Sequence, residues 1–285
     1  MLKALLAFGH NEAKLLPRNA GSGIATGAKH KGGKRDQFTP DEVTRIFELP
    51  LFQDPSSWVF ARSVSDVTLA WLFLFGLTSG PRLTETGQAE PPDIVAQGQI
   101  RAIQITDELG DQTSANAAEG GTEKSIKTEA SKRYIIVSPM LIKLGFNQFL
   151  AALERAGATQ LFPDLWRDGG PSTKEASRLL NRRVRQVTKR RHLCYHSLRH
   201  TWKAAARDAG INVVIERQLS GHCARDESER YGAAYLPILA KHAKKLKFGM
   251  VDWDGLALAW SSIDWEMVVN RLILSLGQAG VARTA

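Results

Sequence analysis

Residues 67–77 read VTLAWLFLFGL and form the longest apolar run of the sequence, which Gly76 interrupts. The run has eleven residues, whereas a helix needs about 20 apolar residues to cross a bilayer. A short helix that is apolar all round is typical of a protein core. We therefore predict a buried helix over Ser65–Leu77, ending near Gly80 and Pro81.

Length and composition indicate a globular, basic protein. The chain has 285 residues, of which 43% are hydrophobic and 24% are charged, and its formal net charge is +9. These proportions are ordinary for a folded protein and exclude wholesale disorder. Cys194 and Cys223 are too few for a disulfide framework, and no secretory cleavage pattern follows the N-terminus. We expect a cytoplasmic protein with a polyanionic partner.

The positive charge is concentrated in the middle of the chain. Between Lys174 and Arg207 there are eleven Lys and Arg residues and one acidic residue, Glu175, so the local net charge of +10 exceeds that of the whole protein. This asymmetry favours a nucleic-acid-binding surface. The residues predicted to form it are Arg178, Arg182, Arg183, Arg185, Lys189, Arg190 and Arg191. A second basic stretch, Lys29–Arg35, contains Gly32 and Gly33 and is typical of a flexible linker.

The pattern along the chain predicts a mainly helical α+β fold with a small antiparallel sheet. Thr39, Pro40 and Glu42 form an N-terminal capping signal for a helix. Further helices are predicted at 2–16, 139–156, 173–188, 197–209, 213–219, 236–247 and 263–276. Short stretches rich in Ile and Val predict strands at 101–106 and 134–138, joined by a long polar loop over 107–132.

Three short patterns contain residues that are suited to phosphate chemistry. The first, residues 195–200, reads YHSLRH and places His196 and Arg199 on one helix face. The second is the Gly-His pair ending at His222, which Tyr231 follows nine residues later. The third is GPRLTE at residues 80–85, at the end of the apolar helix. Each pattern alone is weak, but their order and spacing are specific.

Taken together, these patterns resemble the tyrosine recombinase (phage integrase) family. The resemblance extends over Phe38–Phe248 and includes FTPDE at 38–42 and LFP at 161–163. It implies a tyrosine-recombinase-like catalytic domain, supported by Glu85 of the Arg-x-x-Glu pattern. The catalytic residues that it implies are Arg82, Lys127, His196, Arg199, His222 and Tyr231.

The resemblance also implies the reaction. Arg82 and Arg199 would bind the non-bridging oxygens of a phosphodiester, and Tyr231 would attack it to form a 3′-phosphotyrosyl link. The covalent link retains the phosphodiester energy, so strands are cut and rejoined with no metal and no nucleotide cofactor. The implied function is site-specific DNA recombination and integration of a mobile element, in bacteria or phage and at the nucleoid. The implied partner is double-stranded DNA, on which the chain would form a dimer or tetramer.

Several residues allow a second interpretation. The resemblance implies a catalytic lysine on a β-hairpin, and Lys124 and Lys132 are alternatives to Lys127 for this role. Tyr235 is an alternative to Tyr231 as the nucleophile. Arg82 could instead satisfy carbonyls at a helix C-terminus. His196 could be a hydrogen-bonded core histidine. A zinc site of Cys194, His196, His222 and Cys223 is disfavoured because its spacings differ from those of known two-Cys, two-His sites.

The resemblance divides the chain into three segments. Residues 1–37 are interpreted as the remnant of a core-binding-domain helix plus the basic linker, 38–248 as the catalytic domain, and 249–285 as a tail. The tail contains an apolar helix, Trp265–Leu276, that either docks on a neighbouring protomer or packs on its own domain. The short N-terminal segment leaves a second function open, a catalytically weak DNA-binding remnant of a mobile-element integrase.

Overall fold

The computed structural model describes residues 2–16, 36–60, 64–105, 133–167, 170–221 and 235–281. The chain divides into two compact units, Met1–Arg35 and Asp36–Ala285. The first unit contains helix α1, Leu2–Asn11. The predicted loop over 107–132 and the basic stretch Lys29–Arg35 lie outside the described residues.

Most of the described residues of the second unit are helical. The helices are α2 (Pro40–Phe47), α3 (Pro50–Gln53), α4 (Asp66–Thr78), α5 (Leu83–Gly87), α6 (Pro139–Lys143), α7 (Phe146–Arg155), α8 (Thr173–Val187), α9 (Ser197–Asp208), α10 (Val213–Ser220), α11 (Leu236–Ala243), α12 (Trp253–Trp260) and α13 (Trp265–Val281). Short 3₁₀ turns occur at Pro55–Ser57, Pro91–Asp93 and Pro163–Leu165. Among the described residues, no helix is long and apolar enough to cross a membrane.

A small antiparallel sheet accompanies the helices. Its strands are β1 (Ile94–Gln97), β2 (Ile100–Ile105) and β3 (Arg133–Ile136), in the order β1-β2-β3. Ile94 pairs with Ile103, and Gln104 pairs with Tyr134. A second, two-stranded ribbon joins β4 (Trp166–Arg167) to β5 (Gly170–Pro171). The prediction of a mainly helical chain with a small antiparallel sheet is confirmed, although β1 and the ribbon were not predicted.

Helix α4 lies at the centre of the core, as its apolar run predicts. All of its residues from Val67 to Thr78 are buried. Trp71, in the middle of the helix, contacts the rings of Phe146 at 5.5 Å, Trp260 at 5.2 Å and Trp265 at 5.6 Å between centroids. The middle of α4 is therefore packed tightly in the core, and the chain leaves the C-terminal end of the helix toward Arg82.

The start of α2 has the predicted capping box. The Thr39 hydroxyl accepts a hydrogen bond from the backbone N–H of Glu42 at 3.2 Å, and the Glu42 carboxylate accepts one from the backbone N–H of Thr39 at 2.9 Å. The same carboxylate also accepts hydrogen bonds from Thr188 and Arg190, which follow α8. The capping residue Glu42 thus also connects the start of this unit to the basic segment that follows α8.

Four predicted helices differ from the structure by more than one residue. The helix expected over 2–16 ends at Asn11, and the helix expected over 263–276 begins at Trp265 and extends to Val281. The single helix expected over 139–156 is two helices, α6 and α7, separated at Gly145, which has a φ of +94°. A Cβ at Gly145 would lie 2.7 Å from Nε1 of Trp265, so the break makes room for that indole. The helix expected over 236–247 ends earlier, at Ala243.

The C-terminal helices pack on their own unit. Trp260 in α12 donates its indole N–H to the carbonyl of Phe52 at 2.8 Å. In α13, Trp265 stacks among the core aromatics, and Val269 and Leu272 are fully buried. Helix α13 was expected either to dock on a neighbouring protomer or to pack on its own domain. The contacts described here are of the second kind.

Candidate active site

Arg82 lies in the short connection between α4 and α5. Gly80 turns the chain there with a φ of +67°, and the ring of Trp202 packs so closely that a Cβ on Gly80 would lie 2.6 Å from it. Pro81 follows, and Arg82 is extended with a φ of −75° and a ψ of 151°. The Arg82 side chain is 30% exposed, so it is partly accessible to a ligand.

Two acceptors orient the Arg82 guanidinium. Its Nη1 donates to Oε1 of Glu85 at 2.6 Å, and its Nη2 donates to the carbonyl of Gly221 at 3.1 Å. The backbone N–H of Arg82 donates to Oε2 of Glu85 at 2.6 Å. Glu85 therefore holds both the backbone and the side chain of Arg82.

Arg199 reaches the same place from helix α9. Its side chain is buried; Nη1 donates to the carbonyl of Gly80 at 2.5 Å, and Nη2 donates to the carbonyl of Ser220. Burial lowers the pKa of Arg199 to about 10, and the positive charges of Arg133 and Arg82 act in the same direction while Glu85 opposes them. Arg82 and Arg199, far apart in the sequence, thus donate to the adjacent carbonyls of Gly221 and Ser220.

A third arginine, Arg133, belongs to this cluster and was not predicted. It is the first residue of β3, and its side chain is only 4% exposed. Nη1 and Nη2 donate to the two oxygens of Glu85 at 2.8 and 2.9 Å, and Nε donates to the carbonyl of Leu219 at 3.1 Å. The sequence shows a basic residue next to Lys132 at the start of a strand, but nothing local indicates that its charge is buried.

Within the described part of the chain, the Glu85 carboxylate is the acidic group that pairs with both Arg82 and Arg133. Burial by itself would raise its pKa, but the charge and hydrogen bonds of Arg133, followed by those of Arg82, lower the pKa to about 2. Glu85 is therefore ionised at neutral pH. Among the described residues, three arginines of the cluster face one glutamate, and this excess of positive charge favours an anionic ligand.

Helix α10 ends at this cluster. The carbonyls of Leu219, Ser220 and Gly221 each accept a hydrogen bond from a different arginine. Gly221 closes the helix in the left-handed conformation, with φ of 63° and ψ of 47°. The C-terminal end of a helix carries a partial negative charge, so it helps to hold three like-charged groups together.

His196 stands at the N-terminus of α9, one turn before Arg199. It is half-buried, and its ring centroid lies 5.3 Å from that of His200. Of the predicted catalytic and supporting residues, the structure thus describes Arg82, His196, Arg199 and Glu85. Lys127, His222 and Tyr231 lie outside the described residues, as do Lys124 and Lys132. Tyr235, the competitor of Tyr231, is 79% exposed at the start of α11.

The predicted DNA-binding residues on and after α8 fall into two groups. Four of them make contacts within the protein. Arg178 pairs with Glu175, Arg183 pairs with Asp66, and Arg190 pairs with Glu42 and Asp36. Arg185 donates hydrogen bonds to the carbonyls of Arg190, Arg191 and Leu193. The others, Arg182, Lys189 and Arg191, are exposed, and within the described residues their side chains make no hydrogen bond or ion pair. The second group is available to a ligand without loss of an internal contact.

Comparison with known proteins finds one distant likeness. The chain is similar in structure to the integrase from mycobacterium phage Brujita, at 13% sequence identity and a TM-score of 0.48, over 90% of this chain and 74% of that one. No protein-family profile and no curated protein matches the chain.

Proposed function

We propose that this protein is a site-specific DNA recombinase or integrase that cuts and rejoins DNA strands through a covalent phosphotyrosine. The observation that carries the proposal is the convergence of Arg82 and Arg199 on the adjacent carbonyls of Gly221 and Ser220. Two guanidinium groups held side by side can bind the two non-bridging oxygens of a phosphodiester.

The proposed role of the arginines is to stabilise charge. When a nucleophile attacks a phosphodiester, negative charge develops on the non-bridging oxygens, and donors that are already oriented stabilise it without reorganising. Arg82 and Arg199 are oriented in advance by Glu85 and by backbone carbonyls. The fixed partners also limit the repulsion between the two cations.

The remaining roles rest on the spacing of the motifs. Tyr231 attacks the phosphorus through its phenol oxygen, which forms the 3′-phosphotyrosyl bond and breaks the bond to the 5′ oxygen. His196 removes the phenol proton, and Lys127 donates a proton to the departing 5′ oxygen. His222, which follows Gly221 in the sequence, donates a hydrogen bond to the phosphate. A 5′-hydroxyl of another strand then reverses the steps, so the exchange needs no external energy source.

We propose a DNA duplex as the substrate because exposed basic side chains outside the arginine cluster can bind further phosphates of the same duplex. Arg182, Lys189 and Arg191 can neutralise phosphates along the backbone. Affinity for the duplex and chemistry at one phosphate are thus assigned to different residues, and they can be tested separately.

Covalent capture tests the proposal. A pool of nicked duplexes of random sequence is incubated with the protein, so that cleavage next to the nick releases a short strand and traps the enzyme on DNA. Wild-type protein is expected to give an adduct that survives denaturation by detergent. Tyr231→Phe is expected to give none, since the substitution removes only the attacking oxygen.

Tyr235→Phe is the matched control, because it removes the same atom from an exposed tyrosine four residues away. Capture lost in Tyr235→Phe and kept in Tyr231→Phe would move the nucleophile to Tyr235. Salt-sensitive duplex binding without an adduct in the wild type would reject the strand-transferase proposal in favour of a DNA-binding remnant.

A further inference from the structure

Every nitrogen of the Arg133 guanidinium is engaged by an acceptor within the protein. The side chain is almost completely buried. Burying a guanidinium is costly unless it is paired. Arg133 meets this requirement by pairing with Glu85, although Arg82 and Arg199 bring two further positive charges close to it.

Both acceptors that orient Arg82 are in contact with Arg133. The first acceptor, Glu85, receives two hydrogen bonds from the Arg133 fork. The second acceptor is the carbonyl of Gly221, two residues beyond the Leu219 carbonyl that Arg133 binds. A Cβ on Gly221 would lie 2.7 Å from Nη1 of Arg133, so the guanidinium packs directly against that turn.

We infer that Arg133 is a positioning residue for Arg82: it aligns Glu85 and the C-terminal end of α10, between which the Arg82 guanidinium is held. This inference rests on the proposed function, in which Arg82 binds the phosphate. The effect of Arg133 on the reaction is transmitted through the orientation of Arg82.

The role requires an arginine and not merely a positive charge. The Arg133 fork meets both Glu85 oxygens while Nε meets the Leu219 carbonyl, so three acceptors on two elements are set at fixed angles. A lysine has a single nitrogen without that planar geometry. Lysine at this position would keep the charge and lose the alignment.

The test measures the single-turnover rate of covalent capture for Arg133→Ala and Arg133→Lys. Each variant is expected to cleave about tenfold to a hundredfold more slowly, because misplacing a reacting group by about 1 Å has effects of this size. The duplex Kd is expected to stay unchanged, since the exposed basic residues remain. Arg155→Ala is the control; it removes a surface arginine that pairs with Glu266 and should cleave at the wild-type rate.

A double-mutant cycle with Arg82→Ala separates positioning from a general structural role. If Arg133 acts through Arg82, removing Arg133 from the Arg82→Ala protein should slow cleavage much less than removing it from the wild type. Equal losses in the two backgrounds would overturn the inference. If Arg133→Ala fails to fold, Arg133→Lys carries the same cycle.

The proposed function and the inference can fail separately. If wild-type protein forms no adduct, the proposed function fails, and the same cycle is then measured as free energies of unfolding in urea. Coupling between Arg82 and Arg133 in that measurement would support the alignment of Arg82 by Arg133. Additive losses would overturn it.

Discussion

At the scale of the residue, Gly80 is a position of the candidate site where both the backbone conformation and the close packing disfavour any side chain. Its φ of +67° is unfavourable for any residue with a Cβ, and its hydrogen atoms face the ring of Trp202. Its carbonyl accepts the Nη1 hydrogen bond of Arg199. One glycine therefore allows the turn toward Arg82, the packing of Trp202 and the anchoring of Arg199.

Gly80→Ala is expected to destabilise the protein through two additive effects. The left-handed backbone costs about 1–2 kcal/mol for alanine, and overpacking against Trp202 costs about 1–3 kcal/mol more. Gly210→Ala is the matched control, because its φ is +65° and a Cβ there meets nothing within 4 Å. Urea unfolding should show the larger loss for Gly80→Ala. Equal losses would contradict the proposed contact with Trp202.

Glu85 is expected to make stability depend on pH in the acid range. The pKa of its carboxyl is about 2 in the folded protein against an ordinary value of 4.5. Between these values the unfolded chain takes up a proton on Glu85 and the folded chain does not. The stabilisation is therefore complete above pH 4.5 and is lost as the pH falls toward 2, a change of about 3 kcal/mol.

Glu85→Gln tests this assignment. At pH 7 the variant should be less stable than the wild type by about 3–5 kcal/mol, because Arg133 loses its charged partner while buried. The difference should narrow as the pH falls from 4.5 to 2. Glu48→Gln, at an exposed position in the loop after α2, should stay within about 0.5 kcal/mol of the wild type. A pH-independent difference for Glu85→Gln would reject the ion pair as its cause.

At the scale of the element, α8 and the loop that follows it combine two roles in one basic segment. Ala176, Leu180, Val184 and Val187 form the buried face of the helix. Arg183 and Arg190 fasten the segment to Asp66 and Glu42, whereas Arg182 lies exposed. A high density of charge in sequence is thus only partly a binding surface.

The two groups of basic residues predict different phenotypes. The triple variant Arg182→Ala, Lys189→Ala, Arg191→Ala should bind duplex DNA more weakly, and the slope of log K against log salt should fall by roughly one per lost phosphate contact. Its urea midpoint should remain that of the wild type. Arg190→Ala should instead lower stability, since it leaves the buried Glu42 carboxylate without its cation. Fluorescence anisotropy over a salt series and urea unfolding measure both quantities, and the reverse pattern would contradict the division.

At the scale of the whole molecule, the C-terminal helices complete the core of the second unit. Trp260 and Trp265 contact each other and both Trp58 and Trp71, with ring centroids 5.2–6.4 Å apart. Trp265 also fills the space left by the break at Gly145. The aromatic cluster joins α4, which leads to Arg82, with the last helix of the chain. The stability of the site therefore depends on residues far from it.

Trp265→Ala should lower the free energy of unfolding by about 3–5 kcal/mol, as expected for a large side chain removed from a packed core. Leu274→Ala, in the same helix but 66% exposed, should change it by less than about 0.5 kcal/mol. Urea unfolding followed by far-UV circular dichroism measures both without depending on the removed indole. Equal effects would show that α13 does not contribute to the core through this face.

Local patterns predicted much of the fold. The apolar run of α4, the capping box at Thr39 and the helical periodicity of α8 and α9 all depend on neighbours in sequence, and all are present. The break at Gly145 could not be predicted, because it follows from the approach of Trp265. Strand β1 has only four residues, and its pairing with β2, more than its composition, makes it a strand.

The sequence by itself determined the elements and the short motifs that contain Arg82, His196 and Arg199, because both are local properties of the chain. Only the tertiary structure decided which charges face one another. It brought Arg82 and Arg199 to neighbouring carbonyls of α10 and placed Arg133 behind Glu85. It also turned part of the basic segment inward. The physical reason is that an ion pair between distant residues depends on how helices and strands pack, and no local pattern encodes that distance.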